Sequence, residues 1–328
     1  MDGILRLFPN GIREKLANRV GHRWKSLQEI RFRVGQPIEL NFDDKEEWLT
    51  SLRPSEHDAT FLLNQLSEFS LYRMEEELRQ GFITIEGGHR VGLAGKVNTS
   101  NGSVHAIRHI ASFNIRIAKE KIGVAKPYIP YLYDPKTNRY QSSLIIGPPQ
   151  TGKTTLLRDI ARLISTGWDA KRPMKTGIID ERSEIAGSIK GVPQHQLGVR
   201  TDVMDACPKA EGMMMMIRSM SPDVLVVDEI GSEKDVQALM EAVFAGVQIV
   251  CSVHGQDLRD IQRRPSLKPL FEQGAFERFV LLDGRHKPGS VEYILNAKGE
   301  NIWKKMRCSQ HEMDWSTSSV KRYDMGRV

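Results

Sequence analysis

The fold of this chain is decided by the stretch Leu144-Ile145-Ile146-Gly147-Pro148-Pro149-Gln150-Thr151-Gly152-Lys153-Thr154-Thr155. An apolar run leads into a loop of the form G-x-x-x-x-G-K-T, and apolar residues at helical spacing follow the loop. This order of strand, loop and helix is typical of a phosphate-binding loop, whose backbone N–H groups and helix N-terminus attract anions. The stretch therefore predicts an α/β core that binds a nucleoside triphosphate.

Each residue type in the loop has a chemical reason. Gly147 and Gly152 let the backbone turn its N–H groups toward a phosphate. We expect Lys153 to reach the β- and γ-phosphates and the Thr154 hydroxyl to bind Mg²⁺. The residues expected to contact the nucleotide are Gly147, Pro148, Pro149, Gln150, Thr151, Gly152, Lys153, Thr154 and Thr155. The alternative is a glycine-containing turn that binds nothing, and the flanking strand and helix patterns disfavour it.

The composition is that of a globular protein with more than one domain. The 328 residues are 40% hydrophobic and 27% charged, and this length predicts about two domains. A net charge of +6 favours a solvated basic surface over a nucleic-acid or anionic-membrane surface. Cys207, Cys251 and Cys308 lie far apart, which predicts reduced thiols in a cytosolic protein rather than disulfides or a zinc site.

The sequence contains no run that resembles a membrane-spanning or targeting segment. No window approaches the roughly 20 apolar residues that a spanning helix needs. Met1-Asp2-Gly3 does not begin a signal peptide. If the protein works at a membrane, we expect it to be recruited there.

Changes in pattern divide the chain into four parts. Residues 1–125 contain alternating runs and turns such as Gly87-Gly88 and Asn101-Gly102, which predicts a small α+β domain with an antiparallel sheet. Residues 126–142 contain Pro127, Pro130 and Pro135 and are predicted to be an interdomain linker. Residues 143–297 are predicted to form the P-loop domain, and residues 298–328 a polar, poorly ordered tail.

Residues 143–297 alternate between strand and helix patterns. Strands are predicted at residues 144–146, 175–179, 224–227, 248–253 and 278–282. Such alternation is typical of a parallel sheet with helices on both faces. The sequence therefore predicts a P-loop NTPase core whose parallel sheet is covered by helices on both faces.

Two carboxylates end the apolar run of residues 224–227. We expect Asp228, at the end of a strand neighbouring the loop, to hold the Mg²⁺ shell. We expect Glu229 to orient or deprotonate the attacking water. Strands also end in Asp and Glu at ordinary surfaces, but the pairing with a phosphate loop favours the functional interpretation.

Two other strand ends carry polar side chains. Asp180, Glu181 and Glu184 follow the second predicted strand, where they either position water or Mg²⁺ or form an ordinary charged loop. His254 ends the fourth predicted strand, at the place where a γ-phosphate would be sensed. A lone histidine of this kind is more often structural than functional.

A guanidinium would stabilise the charge that spreads over the γ-phosphoryl oxygens in the transition state. The candidates are Arg200 and Arg218 in the P-loop domain and Arg90, Arg108 and Arg116 in the first domain. In a ring, an arginine of one subunit could complete the site of its neighbour. The residues alone do not choose among these arginines or exclude ordinary surface roles.

The order of these motifs resembles the secretion ATPases, the hexameric motors of type II and type IV secretion and of pilus retraction. The matching pieces are Asp180-Glu181-x-x-Glu184, Arg218 before Pro222-Asp223, Asp228-Glu229 and Ser252-Val253-His254. More closely, the chain resembles the stage III sporulation AA family of endospore-forming bacteria over roughly residues 25–297, with specific matches at residues 29–37, 89–95, 198–203, 217–222 and 228–231.

The resemblance implies an ATPase that uses ATP and Mg²⁺ and assembles as a homo-oligomeric, hexameric ring. It also implies a place in the mother-cell cytoplasm, at the inner face of the membrane, docked on the channel complex that links mother cell and forespore. The catalytic residues that it implies are Glu229, Glu184, Arg218, His254, Arg108 and Arg90, the last two donated by the first domain.

One departure from the secretion motors concerns the second motif. This chain has Asp228-Glu229-Ile230-Gly231-Ser232, whereas the motors usually have Gly-Glu followed by Ile-Arg-Asp. Glu229 stays in register, so the resemblance still implies hydrolysis. The missing Arg-Asp leaves the subunit-coupling contacts of the motors without a counterpart.

Two functions from different classes are compatible with these patterns. The first is an oligomeric motor that converts ATP hydrolysis into domain movement at a membrane complex. The alternative is a nucleic-acid-associated P-loop ATPase, whose binding to single strands would weaken steeply with salt. The sequence offers no interleaved basic and aromatic platform, so a nucleic-acid partner is not expected.

Overall fold

The computed structural model describes residues 2–67, 78, 81–100, 103–283 and 289–303. These residues form two compact units. The first unit contains the chain up to Glu120 together with Gly187–His195, and the second contains Lys121–Ala186 and the chain from Gln196 onward. Among the described residues, no helix is both long enough and apolar enough to cross a bilayer.

The first unit is built on a six-stranded antiparallel sheet with the order β3-β2-β1-β6-β5-β4. Its strands are β1 (Leu27–Arg33), β2 (Ile38–Phe42), β3 (Glu46–Leu49), β4 (Phe82–Ile85), β5 (His89–Ser100) and β6 (Ser103–Arg116). Its helices are α1 (Asp2–Leu5), α2 (Asn10–Val20) and α3 (Glu56–Leu66), and a 3-10 turn covers Arg23–Lys25.

One face of this sheet is apolar because its strands alternate. In β1, Ile30 and Phe32 are buried while Arg31 and Arg33 point to the other face. Phe32 meets the ring of Phe113 edge-on at 5.5 Å, and residues of α2 and α3 complete the core. The predicted antiparallel strands are confirmed. The predicted helix over residues 56–80 is present to Leu66, and residues 68–77, 79 and 80 lie outside the described residues, as does the predicted turn at residues 101–102.

The second unit is built on a seven-stranded sheet with the order β11-β10-β12-β13-β9-β14-β15. Its strands are β9 (Ser143–Gly147), β10 (Thr176–Asp180), β11 (Thr201–Asp205), β12 (Val224–Val227), β13 (Gln248–His254), β14 (Arg278–Leu282) and β15 (Val291–Asn296). Its helices are α4 (Lys153–Thr166), α5 (Lys209–Met220), α6 (Glu233–Phe244), α7 (Leu258–Gln262) and α8 (Lys268–Glu272), with a 3-10 turn at Pro265–Leu267.

Apart from the antiparallel β15, the paired strands of this sheet run parallel. The inner strands β9 and β12 are buried throughout, as their continuous apolar runs require. Residues of α4 cover part of the sheet in one apolar cluster, and residues of α5 and α6 lie in a second cluster. The predicted α/β P-loop core and all five predicted strands are confirmed. The edge strands β11 and β15 were not predicted.

The proline-rich segment 126–142, predicted as a linker, lies within the second unit. Its prolines do prevent a continuous α-helix: the segment forms a 3-10 turn at Ile129–Leu132 and a short hairpin of β7 (Tyr133–Asp134) and β8 (Arg139–Tyr140). Ile129, Leu132 and Tyr140 are buried in the core. The hydroxyl of Tyr140 accepts a 2.8 Å hydrogen bond from Trp168 Nε1. Burial of these side chains and this hydrogen bond anchor the segment in the second unit.

The predicted C-terminal tail, residues 298–328, is described only to residue 303. Trp303 contacts the rings of Tyr128 and Tyr131, each at 5.2 Å between centroids. The remainder of the predicted tail, including Cys308, lies outside the described residues.

Candidate active site

The predicted phosphate loop connects β9 to α4. Two residues adopt left-handed backbone conformations, Gln150 with φ of 64° and Gly152 with φ of 87°. A Cβ on Gly147 would lie 2.7 Å from Thr151 Oγ1 and 3.1 Å from Leu282 Cβ, so glycine is required there. Thr151 Oγ1 donates a 2.8 Å hydrogen bond to the carbonyl of Pro148 and closes the loop. The helix N-terminus after the loop is the kind of place where anions bind.

Lys153 begins α4 and is 4% exposed. Its Nζ donates to the carbonyl of Pro148 at 2.9 Å and lies 2.9 Å from Nδ1 of His254. Burial lowers the pKa of the Lys153 ammonium, while the nearby carboxylates of Glu229 and Asp228 oppose that shift. The lysine is therefore held over the loop by two acceptors that a phosphate oxygen could replace.

Thr154 and Asp228 meet at the end of the sheet. Thr154 Oγ1 donates a 2.8 Å hydrogen bond to Asp228 Oδ2. Ser252 donates to the other carboxylate oxygen, Asp228 Oδ1, and its Oγ accepts a 3.0 Å hydrogen bond from the backbone N–H of Glu229. Ser252 thereby sets the positions of both residues of the Asp-Glu pair.

The strand that ends at Asp228 does not neighbour β9. Asp228 still lies beside the phosphate loop, because it accepts a hydrogen bond from Thr154, but β13 lies between β9 and β12. Chain order does not reveal strand order in a parallel sheet, since every connection crosses over. The insertion of β13 brings Ser252 and His254 between the loop and Asp228, with His254 in register with Gly147.

His254 connects Lys153 to Glu229. Its Nδ1 faces the Lys153 ammonium at 2.9 Å, and its Nε2 lies 2.7 Å from Glu229 Oε1. A lysine ammonium only donates and a carboxylate only accepts, so the contacts are satisfied by a neutral imidazole with its proton on Nε2. The predicted functional position of His254 thus has a specific geometry, which links the two ends of the candidate site.

Arg182 is a residue that the sequence reasoning missed. Arg182 lies in the loop that follows β10, and its NH1 lies 3.2 Å from Glu229 Oε2. In the run Asp180-Glu181-Arg182-Ser183-Glu184, the sequence indicates a role only for the carboxylates. Five charged and polar residues in a row are typical of a solvated loop, in which an arginine needs no specific partner. The adjacency of β10 and β12 brings Arg182 to Glu229.

Asp180 is 1% exposed and organises the same loop. Its carboxylate accepts three backbone N–H bonds, from Glu184 at 2.8 Å, Ile185 at 3.0 Å and Ala186 at 2.8 Å. Burial raises the pKa of Asp180 to about 6, although these hydrogen bonds oppose the shift. Both carboxylate oxygens of Asp180 therefore accept hydrogen bonds that fix the backbone of the loop.

Glu184, a predicted catalytic residue, lies in this anchored loop. Its carbonyl accepts a 2.6 Å hydrogen bond from Arg158 NH2, and its N–H is held by Asp180. The backbone of Glu184 is therefore well fixed at the end of β10. A catalytic role for its carboxylate stays a prediction.

The structure separates Arg218 from the loop of its own chain. Arg218 is exposed in the last turn of α5, which leads into the start of β12. The phosphate loop follows the C-terminal end of β9, whereas Arg218 precedes the N-terminal end of β12. Because these strands are parallel, the two features lie at opposite ends of the strands, about 13 Å apart along a four-residue strand. A catalytic role for Arg218 stays a prediction. Arg200, whose NH1 donates to Pro173, likewise precedes its strand.

The predicted arginines of the first unit lie in its sheet. The Arg90 guanidinium sits 4.0 Å from the centroid of the Phe82 ring in a cation–π contact. Arg116 pairs with Glu29 at 3.3 Å. Arg108 pairs with Lys96 in the β5–β6 ladder, and its side chain lies outside the described part of the chain.

The oxygens of Thr154 and Asp228 fit the predicted Mg²⁺ site. Mg²⁺ prefers hard oxygen ligands and commonly takes one or two from the protein, with water and phosphate oxygens completing its shell. The hydroxyl and carboxylate are adjacent at 2.8 Å and face the loop. In the described parts of the chain, no cluster of three or more His, Cys, Asp or Glu residues offers a different metal site.

Solved structures with the same fold are secretion-type ATPases. The pilus retraction motor PilT, solved with bound ADP, superposes with a TM-score of 0.58 at 16% identity, covering 94% of this chain and 88% of PilT. The ATPase DotB of Yersinia pseudotuberculosis superposes with a TM-score of 0.57 at 14% identity, covering 96% of this chain and 86% of DotB. At these identities the likeness establishes the P-loop secretion-ATPase fold.

Sequence comparison identifies the family. The sequence model described as "Sporulation stage III, protein AA" matches residues 1–302. Stage III sporulation protein AA of Bacillus subtilis (strain 168) is 52% identical over 299 residues, which are 91% of this chain and 96% of that protein. The chain therefore belongs to the sporulation stage III protein AA family.

Proposed function

We propose that this protein is an ATP-hydrolysing oligomeric motor that acts from the cytoplasmic face on a membrane channel complex between mother cell and forespore. The observation that carries the catalytic part is the convergence of four groups at one edge of the second sheet. Lys153, Thr154, Asp228 and Glu229 are connected there by direct hydrogen bonds or through His254. That set supplies phosphate binding, Mg²⁺ binding and a carboxylate base in one place.

Each group has a distinct role in the proposed reaction, ATP + H₂O → ADP + phosphate. The N–H groups of the loop and Lys153 bind the β- and γ-phosphates, and Thr154 and Asp228 hold Mg²⁺, which neutralises phosphate charge when bound. Glu229 accepts the proton of the attacking water. His254 reports the occupancy of the γ-phosphate position, because its Nδ1 shares Lys153 with the loop.

The oligomeric part of the proposal rests on the fold and on the arginines. PilT is described as a pilus retraction motor and was solved with ADP, which supports a nucleotide-driven machine. Arg218, which is exposed in the last turn of α5, is proposed to reach the site of an adjacent copy in an assembly. Arg90 and Arg108 of the first unit are proposed to contribute guanidinium groups to assembled sites.

The proposed place of action rests on family membership. The relative of this chain in Bacillus subtilis is named for stage III of sporulation. In the described parts of the chain, no helix is long and apolar enough to span a membrane. Recovery of channel proteins with a tagged chain from sporulating cells, lost when the tag is on an unrelated protein, tests this part.

Steady-state phosphate release tests the catalytic part. The purified full chain should hydrolyse ATP in Mg²⁺, and Lys153→Ala and Glu229→Gln should each lose at least about a hundredfold in kcat. The exposed residues Lys234 and Glu241 supply the matched controls Lys234→Ala and Glu241→Gln, which should retain full activity. Turnover that persists in both Lys153→Ala and Glu229→Gln would show that the site does not hydrolyse ATP.

Light scattering with and without ATP tests the oligomeric part. We expect a larger species when Mg²⁺ and ATP are added to Glu229→Gln, because that variant binds nucleotide without turning it over. A chain that stays monomeric at micromolar concentration with saturating ATP would contradict the motor.

A further inference from the structure

We propose that Arg182 is a positioning residue for hydrolysis, which orients the Glu229 carboxylate together with His254. This inference rests on the proposed function and adds a residue to it. Neither the phosphate-loop motif nor the Asp-Glu strand end points to Arg182, which becomes visible only through its contact in the folded chain.

Arg182 and His254 together contact both oxygens of the Glu229 carboxylate. Arg182 NH1 lies 3.2 Å from Glu229 Oε2, and His254 Nε2 lies 2.7 Å from Oε1. A carboxylate held at one oxygen still rotates about its last torsion, whereas donors at both oxygens fix the orientation of its plane. Arg182 therefore supplies the second of the two contacts that orient Glu229.

The backbone of Glu229 is also held in one conformation. Glu229 has φ of 49°, in the left-handed region that side chains other than glycine rarely adopt. Its N–H is held by Ser252 Oγ at 3.0 Å. The backbone, fixed by β13, and the side chain, held by Arg182 and His254, together aim the carboxylate in one direction.

The loop that carries Arg182 is itself fixed. Asp180 accepts the backbone N–H groups of residues 184–186, and Ser183 Oγ donates a 2.6 Å hydrogen bond to Asp205. Glu181 forms an ion pair with Lys209 on α5. These contacts anchor the chain on both sides of Arg182, so its guanidinium extends toward β12 from a rigid base.

Because the Arg182–Glu229 ion pair is exposed, its effect on turnover can be measured separately from its effect on stability. The Arg182 side chain is 64% exposed and that of Glu229 is 22% exposed. Exposed ion pairs contribute little to folding, so removal of the guanidinium should leave the melting temperature nearly unchanged. An effect on turnover would then come from the orientation of Glu229 and not from loss of the fold.

The test compares Arg182→Gln and Arg182→Lys with the wild type and with the exposed control Arg172→Gln. Turnover is measured by phosphate release, and ATP affinity by fluorescence titration with a labelled analogue. We expect Arg182→Gln to lower kcat about tenfold or more with an ATP dissociation constant within about twofold of the wild type. Arg182→Lys should recover part of the loss, because an ammonium still contacts one oxygen. Arg172→Gln should be unaffected.

A double-mutant cycle identifies the partner. If Arg182 acts through Glu229, adding Arg182→Gln to Glu229→Gln should cost almost nothing further, because the carboxylate that it orients is already gone. A full additional loss in that background would overturn the proposal, as would weaker ATP binding with kcat unchanged, which would mark Arg182 as a phosphate ligand.

Different results would overturn the role of Arg182 and the proposed ATPase function. Full activity in Arg182→Gln, with turnover that still depends on Lys153 and Glu229, overturns the role of Arg182 and leaves the ATPase intact. No Lys153-dependent turnover in the wild type overturns the proposed function and the role of Arg182 with it.

Discussion

Thr154 Oγ1 donates a 2.8 Å hydrogen bond to Asp228 Oδ2, although 74 residues separate them along the chain. Thr154 belongs to the first turn of α4, and Asp228 directly follows β12. The bond joins the two oxygens that are proposed to bind Mg²⁺. It shows that the phosphate loop and the acidic strand end form one site, with β13 between their strands.

The first prediction concerns this pair. Thr154→Val keeps the shape of the side chain and removes the hydroxyl, so we expect the Mg²⁺ concentration for half-maximal ATP hydrolysis to rise about tenfold or more. Thr154→Ser keeps the hydroxyl and should stay close to the wild type. Phosphate release measured over a Mg²⁺ titration at saturating ATP checks this. An unchanged Mg²⁺ dependence in Thr154→Val would exclude Thr154 as a ligand.

A second prediction concerns Ser252, which is fully buried in β13. Ser252→Ala removes the acceptor for the Glu229 N–H and the donor to Asp228. Loss of a buried hydrogen-bond partner costs about 1–3 kcal/mol of stability, and here it should also lower kcat because both acidic residues lose support.

Ser143 provides the matched control for Ser252. It is fully buried at the start of the adjacent strand β9 and donates a 2.6 Å hydrogen bond to Gln141. Ser143→Ala should reduce the free energy of unfolding in a similar way and leave kcat unchanged. Equal losses of activity in the two variants would mean that Ser252 acts through stability alone.

A third prediction follows from the raised pKa of Asp180, about 6 instead of the ordinary 3.8. The folded state binds this proton more tightly than the unfolded state. The stabilisation from Asp180 is therefore greatest below pH 3.8 and is lost as the pH rises through about 6, by on the order of 3 kcal/mol.

Asp180→Asn removes this titration. The amide stays neutral at every pH, so the free energy of unfolding of the variant lacks the pH dependence that Asp180 gives the wild type. The free energy of unfolding of the wild type relative to the variant should therefore fall as the pH rises from 4 to 7. Melting temperatures of both proteins measured across this pH range check the prediction, and a difference that stays constant with pH would contradict it.

A fourth prediction uses the helix caps of the two units. Ser55 caps α3 in the first unit and Ser232 caps α6 in the second, each in a capping box with Asp58 or Asp235 three residues later. Ser55→Ala and Ser232→Ala should each cost about 1 kcal/mol. Scanning calorimetry should assign the two losses to different units if these melt separately.

Conservative replacements provide the control for the caps. Ser55→Thr and Ser232→Thr keep an oxygen at the cap and should recover most of the stability. Alanine variants as stable as the wild type would show that the side-chain caps contribute nothing measurable. Neither replacement removes a group that the proposed reaction uses.

In the second unit, the strands that the sequence predicted are the fully or largely buried ones. Apolar runs such as residues 144–146 and 224–227 have no other stable place than the middle of a sheet. The strands β11 and β15 were missed because each lies at an edge of the sheet. β11 is only half-buried along its length, so its sequence Thr201–Asp205 mixes polar and apolar residues.

The proline-rich segment shows a different limit. The prolines correctly predicted that no continuous helix forms at residues 126–142. They did not reveal that Ile129, Leu132 and Tyr140 pack into the second unit, because burial depends on which distant residues, such as Trp168, come to meet them.

The sequence by itself determined the phosphate loop, the acidic strand end and the α/β class, because each depends on residues that are neighbours along the chain. The tertiary structure alone decided that β13 lies between β9 and β12. It thereby placed Ser252 and His254 inside the site. It also brought Arg182 to Glu229. These relations come from strand order in a parallel sheet, where crossover connections separate neighbours in space from neighbours in sequence.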